Sequence, residues 1–171
     1  MSTFKPKLVL LRDTREQLPL EFKEGVFDEI QDEGLPFGDY HCQLVYGENI
    51  DDQRTIPIIF ERKTIPDLFN TLTRGHDRFK RMLSKVSEAH FECCLLIEGS
   101  IRDVVSGFEH STVDGNSILK TVFTFWLRYG VYPVFCNDRR EMARFIEETY
   151  EAFKRNYSNK KAIVPKIEAD G

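Results

Sequence analysis

"IPIIFERKTIPDL" (residues 56–68) sets a β-branched apolar run directly against three consecutive charges and then at once starts a helix. Ile58, Ile59 and Phe60 read as a buried strand. Side chains alternate along a strand, so Glu61 and Lys63 project from one face, about 7 Å apart, and Arg62 from the other. Beyond them Thr64 caps a helix with Pro66 in its first turn, and Asp67 completes a capping box.

The stretch "LPFGDY" (35–40) repeats the pattern, with Asp39 behind the flexible Gly38 at the head of a second strand. Pairing of the two strands as a hairpin brings the Asp39 carboxylate beside Glu61, so that two carboxylates and an ammonium meet at one rim of a sheet. Such carboxylates repel one another. A hard divalent cation with oxygen ligands, magnesium or manganese, resolves that conflict. Two acids, a metal and a lysine suit phosphodiester hydrolysis: the metal neutralises the phosphate and acidifies a water that the lysine orients or deprotonates. On its own, the Asp…Glu-x-Lys spacing is weak, because a surface ion pair between Glu61 and Lys63 would also explain it.

Outward from this pair, 171 residues accommodate one domain with a sizeable core, and 41% hydrophobic against 30% charged residues argues against general disorder. No apolar run approaches the roughly 20 residues of a membrane span, which leads us to expect a soluble, intracellular protein with no membrane partner. Its compartment would be the cytoplasm or nucleoid if microbial or viral, and the nucleus if eukaryotic. Cys42, Cys93, Cys94 and Cys136 lie in strand-like segments without paired spacing and read as reduced core thiols. His41, His76, His90 and His110 lack zinc-site spacing, so no zinc is expected. The net charge of −4 does not announce a nucleic-acid partner, but its distribution is uneven. Residues 21–33 carry six acids against one lysine, and 74–85 carry five Lys/Arg against one aspartate.

The remaining pattern predicts strands at 7–13, 40–46, 55–63, 93–99 and 131–136, with a mobile loop at 47–54. A weak helix is expected at 24–33 and firmer ones from Thr64, at 76–89, at 115–130 and at 137–153, the last opened by an Asp138/Glu141 capping box. Strands alternating with helices imply an α/β fold, a mixed central sheet flanked by helices on both faces. The expected division is a domain over 1–156 and a flexible polar tail over 157–171. Arg74, Arg78, Arg81 and Lys85 recur at spacings of four, three and four, which aligns them on one stripe if Gly75 does not interrupt the helix. Along 118–129, Ile118, Leu119, Val122, Phe123, Phe125, Trp126, Leu127 and Tyr129 span an arc of roughly 200°, more than one sheet face requires. Either the final helix covers the excess, through Met142, Phe145, Ile146 and Tyr150, or a second chain does.

The ordered set "RDTRE" (12–16), "GDY" (38–40), "ERKTIPD" (61–67) and "RGHDRFKRM" (74–82) resembles the XPF-like nuclease domain, a family of structure-specific DNA nucleases with a restriction-endonuclease-like fold. The resemblance runs from about Lys7 to Phe153. It implies a magnesium-dependent endonuclease acting on branched or single-strand/duplex junction DNA in repair, recombination or replication. Asp39 and Glu61 would bind the metal with the Arg62 carbonyl, Lys63 would be the catalytic lysine, and Asp13 would be an additional acidic site residue. Arg15 and Glu16 complete the Asp-x-Arg-Glu signature, either at the substrate or as a local salt bridge. The Arg62 side chain has no assigned role, and Asp67 is open to a catalytic or a purely capping reading. Arg74, Arg78 and Arg81 would contact DNA, with Arg78 favoured. Pairing as a homodimer, or with a related chain, is implied through the two C-terminal helices. The tandem helix-hairpin-helix elements common in the family are not expected in the residues after Phe153, which are too few to hold them. A catalytically silent DNA-binding subunit and a junction-resolvase-type nuclease are the alternatives.

Overall fold

Period-two alternation decides which side of the sheet each strand residue serves. In the computed structural model, which describes residues 5–47 and 53–157, the strands are β1 (Lys7–Asp13), β2 (Glu29–Glu33), β3 (Tyr40–Val45), β4 (Gln53–Thr55), β5 (Ile58–Thr64), β6 (Glu92–Glu98) and β7 (Tyr132–Cys136). They form one sheet in the order β2-β1-β3-β5-β6-β7, with β4 paired to β3. The β1/β3 and β3/β5 pairs are antiparallel, whereas β1/β2, β5/β6 and β6/β7 are parallel. The mixed α/β architecture expected from the sequence is the one observed.

Ile59, Cys93, Leu95 and Ile97 point to one face and are buried there by α1 (Ile65–Leu72), α2 (His76–Glu88) and α4 (Gly115–Tyr129), with α3 (Ile101–Ser106) behind. Leu8, Leu10, Tyr40, Cys42, Phe60 and Leu96 point to the other, under α5 (Arg139–Tyr157), whose Met142, Ala143, Ile146, Tyr150 and Phe153 complete that core. Tyr150 is wholly buried and donates its hydroxyl to the Ile58 carbonyl (2.8 Å). All four cysteines are free thiols. Burial pushes Cys42 and Cys93 well above the ordinary thiol range. No helix among the described residues is long and apolar enough to cross a membrane.

Several expectations need correction. Residues 29–33 are not helical. They form an exposed parallel edge strand in register with Val9–Asp13, where Arg12 grips Asp32 through two bonds (2.6 and 3.0 Å) and Asp28 accepts the Leu8 amide (2.8 Å). The segment anchors only the adjacent Phe27 and, in part, Val26 in the core, too little apolar periodicity to hold a helix on it. The expected 55–63 strand is broken at Pro57, which has no N–H for the ladder. β4 pairs with the end of β3, and β5 pairs with its start through Tyr40 and Phe60. The helix α3 was not expected, although Ser100 and Asp103 form a full capping box. In α5, Asp138 accepts the Arg140 and Glu141 amides, while Glu141 reaches back to Asn137 rather than to Asp138. Most of the expected mobile loop, residues 48–52, and nearly all of the expected tail, 158–171, lie outside the described residues.

Candidate active site

Because β3 runs against both of its neighbours, its N-terminal end meets the C-terminal ends of β1 and β5. Asp13, Asp39, Glu61 and Lys63 all occupy odd-numbered positions of these strand ends and so share the face that carries α1 and α2. The Tyr40–Phe60 pairing sets Asp39 opposite Glu61. The Asp39 amide donates to the Phe60 carbonyl (2.8 Å), its carbonyl accepts the Asp13 amide (2.9 Å), and its carboxylate accepts the Arg62 amide (2.7 Å).

Gly38 makes the turn into β3. Its φ is +71°, and a Cβ there would lie 3.0 Å from Ile59 Cδ1 and 3.3 Å from the Phe60 carbonyl. His41, buried between the rings of Phe37 and Phe91, donates Nε2–H to the Phe37 carbonyl (2.7 Å) and so braces the same turn. Burial holds His41 neutral, down at about 4.

Electrostatically the two carboxylates are in conflict. Burial first, and the nearby Glu61 charge second, push Asp39 up to about 7, despite the Arg62 amide and Lys63. Lys63 donates to Glu61 at 2.5 Å. Burial alone would lower Lys63, but the Glu61 charge and hydrogen bond outweigh it and hold the ammonium above its ordinary value. Asp13 is saturated differently. Its two oxygens accept the Arg15 amide (2.7 Å), Arg15 Nε (2.7 Å), Arg15 Nη2 (2.8 Å) and the Leu35 amide (2.9 Å). The Arg15 hydrogen bonds outweigh burial and hold Asp13 below the usual carboxylate range.

These residues line one wall of a groove of about 600 Å³. The opposite wall is α1 and α2, with Asn70, Thr71, Arg78, Phe79, Arg81, Met82 and Lys85. Arg78, Arg81 and Lys85 form the expected basic stripe. Arg74 does not extend it, because the turn at 73–75 separates α1 from α2 and leaves Arg74 outside both helices and outside the groove lining. Thr64 caps α1 by accepting the Asp67 amide (3.3 Å), and the Asp67 carboxylate accepts the Thr64 hydroxyl (2.8 Å) instead of the Thr64 amide that the expected capping box calls for. Asn70 and Thr71 carry no motif. Their only signal in the sequence is helical spacing from Asp67, at i+3 and i+4.

A metal would find few side-chain ligands. No three Asp, Glu, His or Cys side chains converge as a metal cage among the described residues. The donors present are hard oxygens, the Asp39 and Glu61 carboxylates and the Arg62 carbonyl of the same strand end. One or two carboxylates completed by water and substrate phosphate is the ordinary protein site for magnesium, so the residues fit that ion better than a fully enclosed one.

A family model, ERCC4 domain, matches residues 12–149. The chain belongs to the ERCC4 domain family. Among solved structures it is similar to XPF from Aeropyrum pernix, with a TM-score of 0.61 and 20% identity over 88% of this chain and 67% of that one. It is also similar to XPF from the same organism in complex with DNA, with a TM-score of 0.58 and 21% identity over 86% and 65%. At these identities the similarity is one of fold, and the chain spans about two thirds of those chains. Comparison with curated proteins finds no match.

On the reverse side of this ERCC4 domain, Arg62 turns its guanidinium away from the groove. It bonds Glu16 through Nη2 (2.9 Å) and Nε (3.2 Å), and approaches Glu98 at 3.5 Å. The pair is nearly closed to solvent, at 9% exposure for Arg62 and 7% for Glu16. Of the Asp-x-Arg-Glu signature, therefore, Asp13 and Arg15 border the groove and Glu16 is committed to the opposite face.

Proposed function

We propose that the chain is a divalent-metal-dependent DNA endonuclease that hydrolyses phosphodiester bonds at branched or single-strand/duplex junctions, with magnesium as the ion and manganese as a substitute. The observation that carries this reading is the convergence of Asp39, Glu61 and Lys63 at the wall of a groove faced by Arg78, Arg81 and Lys85. Membership in a nuclease family supports it. Asp39, Glu61 and the Arg62 carbonyl would hold the ion, which when bound supplies charge neutralisation at the phosphate and a more acidic water. Lys63, already a hydrogen-bond donor at this spot, orients the attacking water and the scissile phosphate. Arg78 and Arg81 take flanking phosphates, and Arg15, pinned by Asp13, offers a further guanidinium at the groove edge. A silent DNA-binding subunit would have no need of all three of Asp39, Glu61 and Lys63. Incubation of purified protein with magnesium and a panel of single strands, duplexes, flaps, forks and four-way junctions tests the reading. Cleavage in chelator equal to that in magnesium would sink the metal mechanism.

The working unit we propose is a homodimer, or a heterodimer with a related chain. Of the α5 residues expected to cover α4, Met142, Ile146 and Tyr150 lie in the core of the opposite sheet face. Ile118, Val122 and Phe125 of α4 are buried against α1, α2 and β6, yet Trp126 and Leu127 stay 44% and 82% exposed. Tyr132 on the edge strand β7 and Phe145 on α5 are exposed as well. A second subunit over this edge buries them and leaves the groove open. Leu127→Asp should then shift light-scattering mass from dimer to monomer; a wild-type monomer with full activity at tens of micromolar contradicts the dimer.

A further inference from the structure

Two uncharged polar side chains share the groove with the charged ones. Asn70 and Thr71 belong to the last turn of α1 and line the same cavity as Asp39, Glu61 and Lys63 on one wall and Arg78 and Arg81 on the other. They stand three and four residues after Asp67, so one helix face carries all three, while Leu68, Phe69 and Leu72 anchor the other side of α1 in the core. The chain then turns back on itself. The Gly75 amide donates to the Asn70 carbonyl (2.9 Å), and a Cβ on Gly75 would lie 3.2 Å from both the Cα and the carbonyl oxygen of Thr71. The bare glycine lets α2 start this close to α1, and Arg78 lies about one turn further along α2.

The Thr71 hydroxyl sets this turn apart. A helical threonine has a ready acceptor in the carbonyl four residues back. Thr121, Thr124 and Thr149 use it, donating to Ser117, Lys120 and Phe145 at 2.9, 2.8 and 2.7 Å. Thr71, the remaining helical threonine among the described residues, does not: its hydroxyl has no protein partner, and neither has the Asn70 side-chain amide. Thr71 is half-buried and Asn70 exposed, and both line the groove. A further cation in their place would be drawn to Asp39 and Glu61, whereas an uncharged donor can meet a phosphate oxygen without that competition. Threonine and asparagine contacts to phosphate oxygens are among those that fix the register of a protein on a nucleic acid. Resting on the endonuclease reading above, we infer that Thr71 and Asn70 form a phosphate subsite that sets the cutting register. They hold the phosphate next to the scissile one, between Lys63 and the phosphates taken by Arg78 and Arg81, and so fix which phosphodiester meets the acidic wall.

The test is single-turnover cleavage of an end-labelled splayed-arm duplex by the whole chain in magnesium, with products resolved to the nucleotide. Thr71→Val, which removes the hydroxyl at nearly constant volume, should slow cleavage by about tenfold, the scale of one hydrogen bond to a charged oxygen, and spread the cuts over neighbouring positions. Thr71→Ser should recover most of the rate and the original position. Asn70→Asp, which sets a carboxylate against the phosphate, should slow cleavage more than Asn70→Ala. A methylphosphonate, in which a neutral methyl group replaces one phosphate oxygen, is then placed on either side of the cut in turn. At one of the two positions it should slow the wild type by about tenfold and Thr71→Val by no further factor, because both changes remove the same contact. Wild-type rate and register in both Thr71→Val and Asn70→Ala, a wild type indifferent to both methylphosphonates, or losses that multiply at both positions would overturn the subsite and leave the nuclease reading intact. Wild-type protein that cuts no substrate overturns both. If Thr71→Val melts early, the same methylphosphonate comparison is made with Asn70→Ala, whose side chain is exposed.

Discussion

Glu61, Arg62 and Lys63 are consecutive in β5, yet they live in two different electrostatic worlds. On the α1/α2 face, Glu61 and Lys63 sit beside a half-buried Asp39 whose charge is poorly compensated, at the wall of an open groove. On the α5 face, Arg62 is enclosed with Glu16, and each ionic group has its partner. One strand therefore holds an unbalanced set of charges with access to solvent and a balanced set without it. Charge that is buried and paired is architecture. Charge that is buried, crowded and left open toward a groove is poised for a ligand.

The two faces should respond to substitution in opposite ways. The largest effect is expected from Glu61→Gln or Lys63→Ala, each lowering the single-turnover cleavage rate by about 10³-fold, the scale of losing a positioned acid–base or electrostatic group. DNA affinity should stay close to wild type, and Glu61→Gln, which removes the charge crowding Asp39, should keep the melting temperature close to wild type as well. Near-normal turnover by a clean Glu61→Gln preparation would erase the distinction between the faces. Arg62→Ala should act the other way and cost about 3 kcal/mol in urea denaturation, because Glu16 is left enclosed without its cation. A variant with normal stability would mean that the reverse-face pair is not architectural.

Tyr150→Phe sharpens the same contrast away from any charge. It removes the hydroxyl that α5 donates to the Ile58 carbonyl and should cost about 1 kcal/mol, read from the same denaturation curves, with cleavage per folded molecule unchanged. The smallest effect is expected on the groove face. Arg78→Ala should weaken binding of every DNA substrate alike, and the slope of log K against log salt should flatten by about 0.9, one phosphate's worth. An unaltered slope would make the α2 stripe an ordinary solvated helix face.

Much of this contrast was legible in the sequence, because strand alternation alone separates Glu61 and Lys63 from Arg62, and Gly38 before Asp39 marks the second strand end. The partner of Arg62 was not legible. Glu16 lies 46 positions away, and only the β1-β3-β5 order brings the turn after β1 against the end of β5. The strand at Glu29–Glu33 was missed for a related reason: a strand exposed along its length has no hydrophobic alternation to show, and its parallel pairing with β1 is a tertiary fact. Arg74 illustrates a local competition, in which helical spacing argued for the stripe and Gly75 argued against it. The backbone break prevailed.

The double tether of Asp39 sets the time on which this wall can move. Its amide and carbonyl bond to β5 and β1 respectively, and its carboxylate takes the Arg62 amide, so the first turn of β3 cannot detach without breaking both seams of the sheet at once. The amides of Asp13, Asp39 and Arg62 should therefore exchange with deuterium only through global opening, orders of magnitude more slowly than amides of the α1/α2 turn across the groove. Motion that admits or releases a substrate would then come from the basic helix wall, while the acidic wall keeps its shape through every cycle.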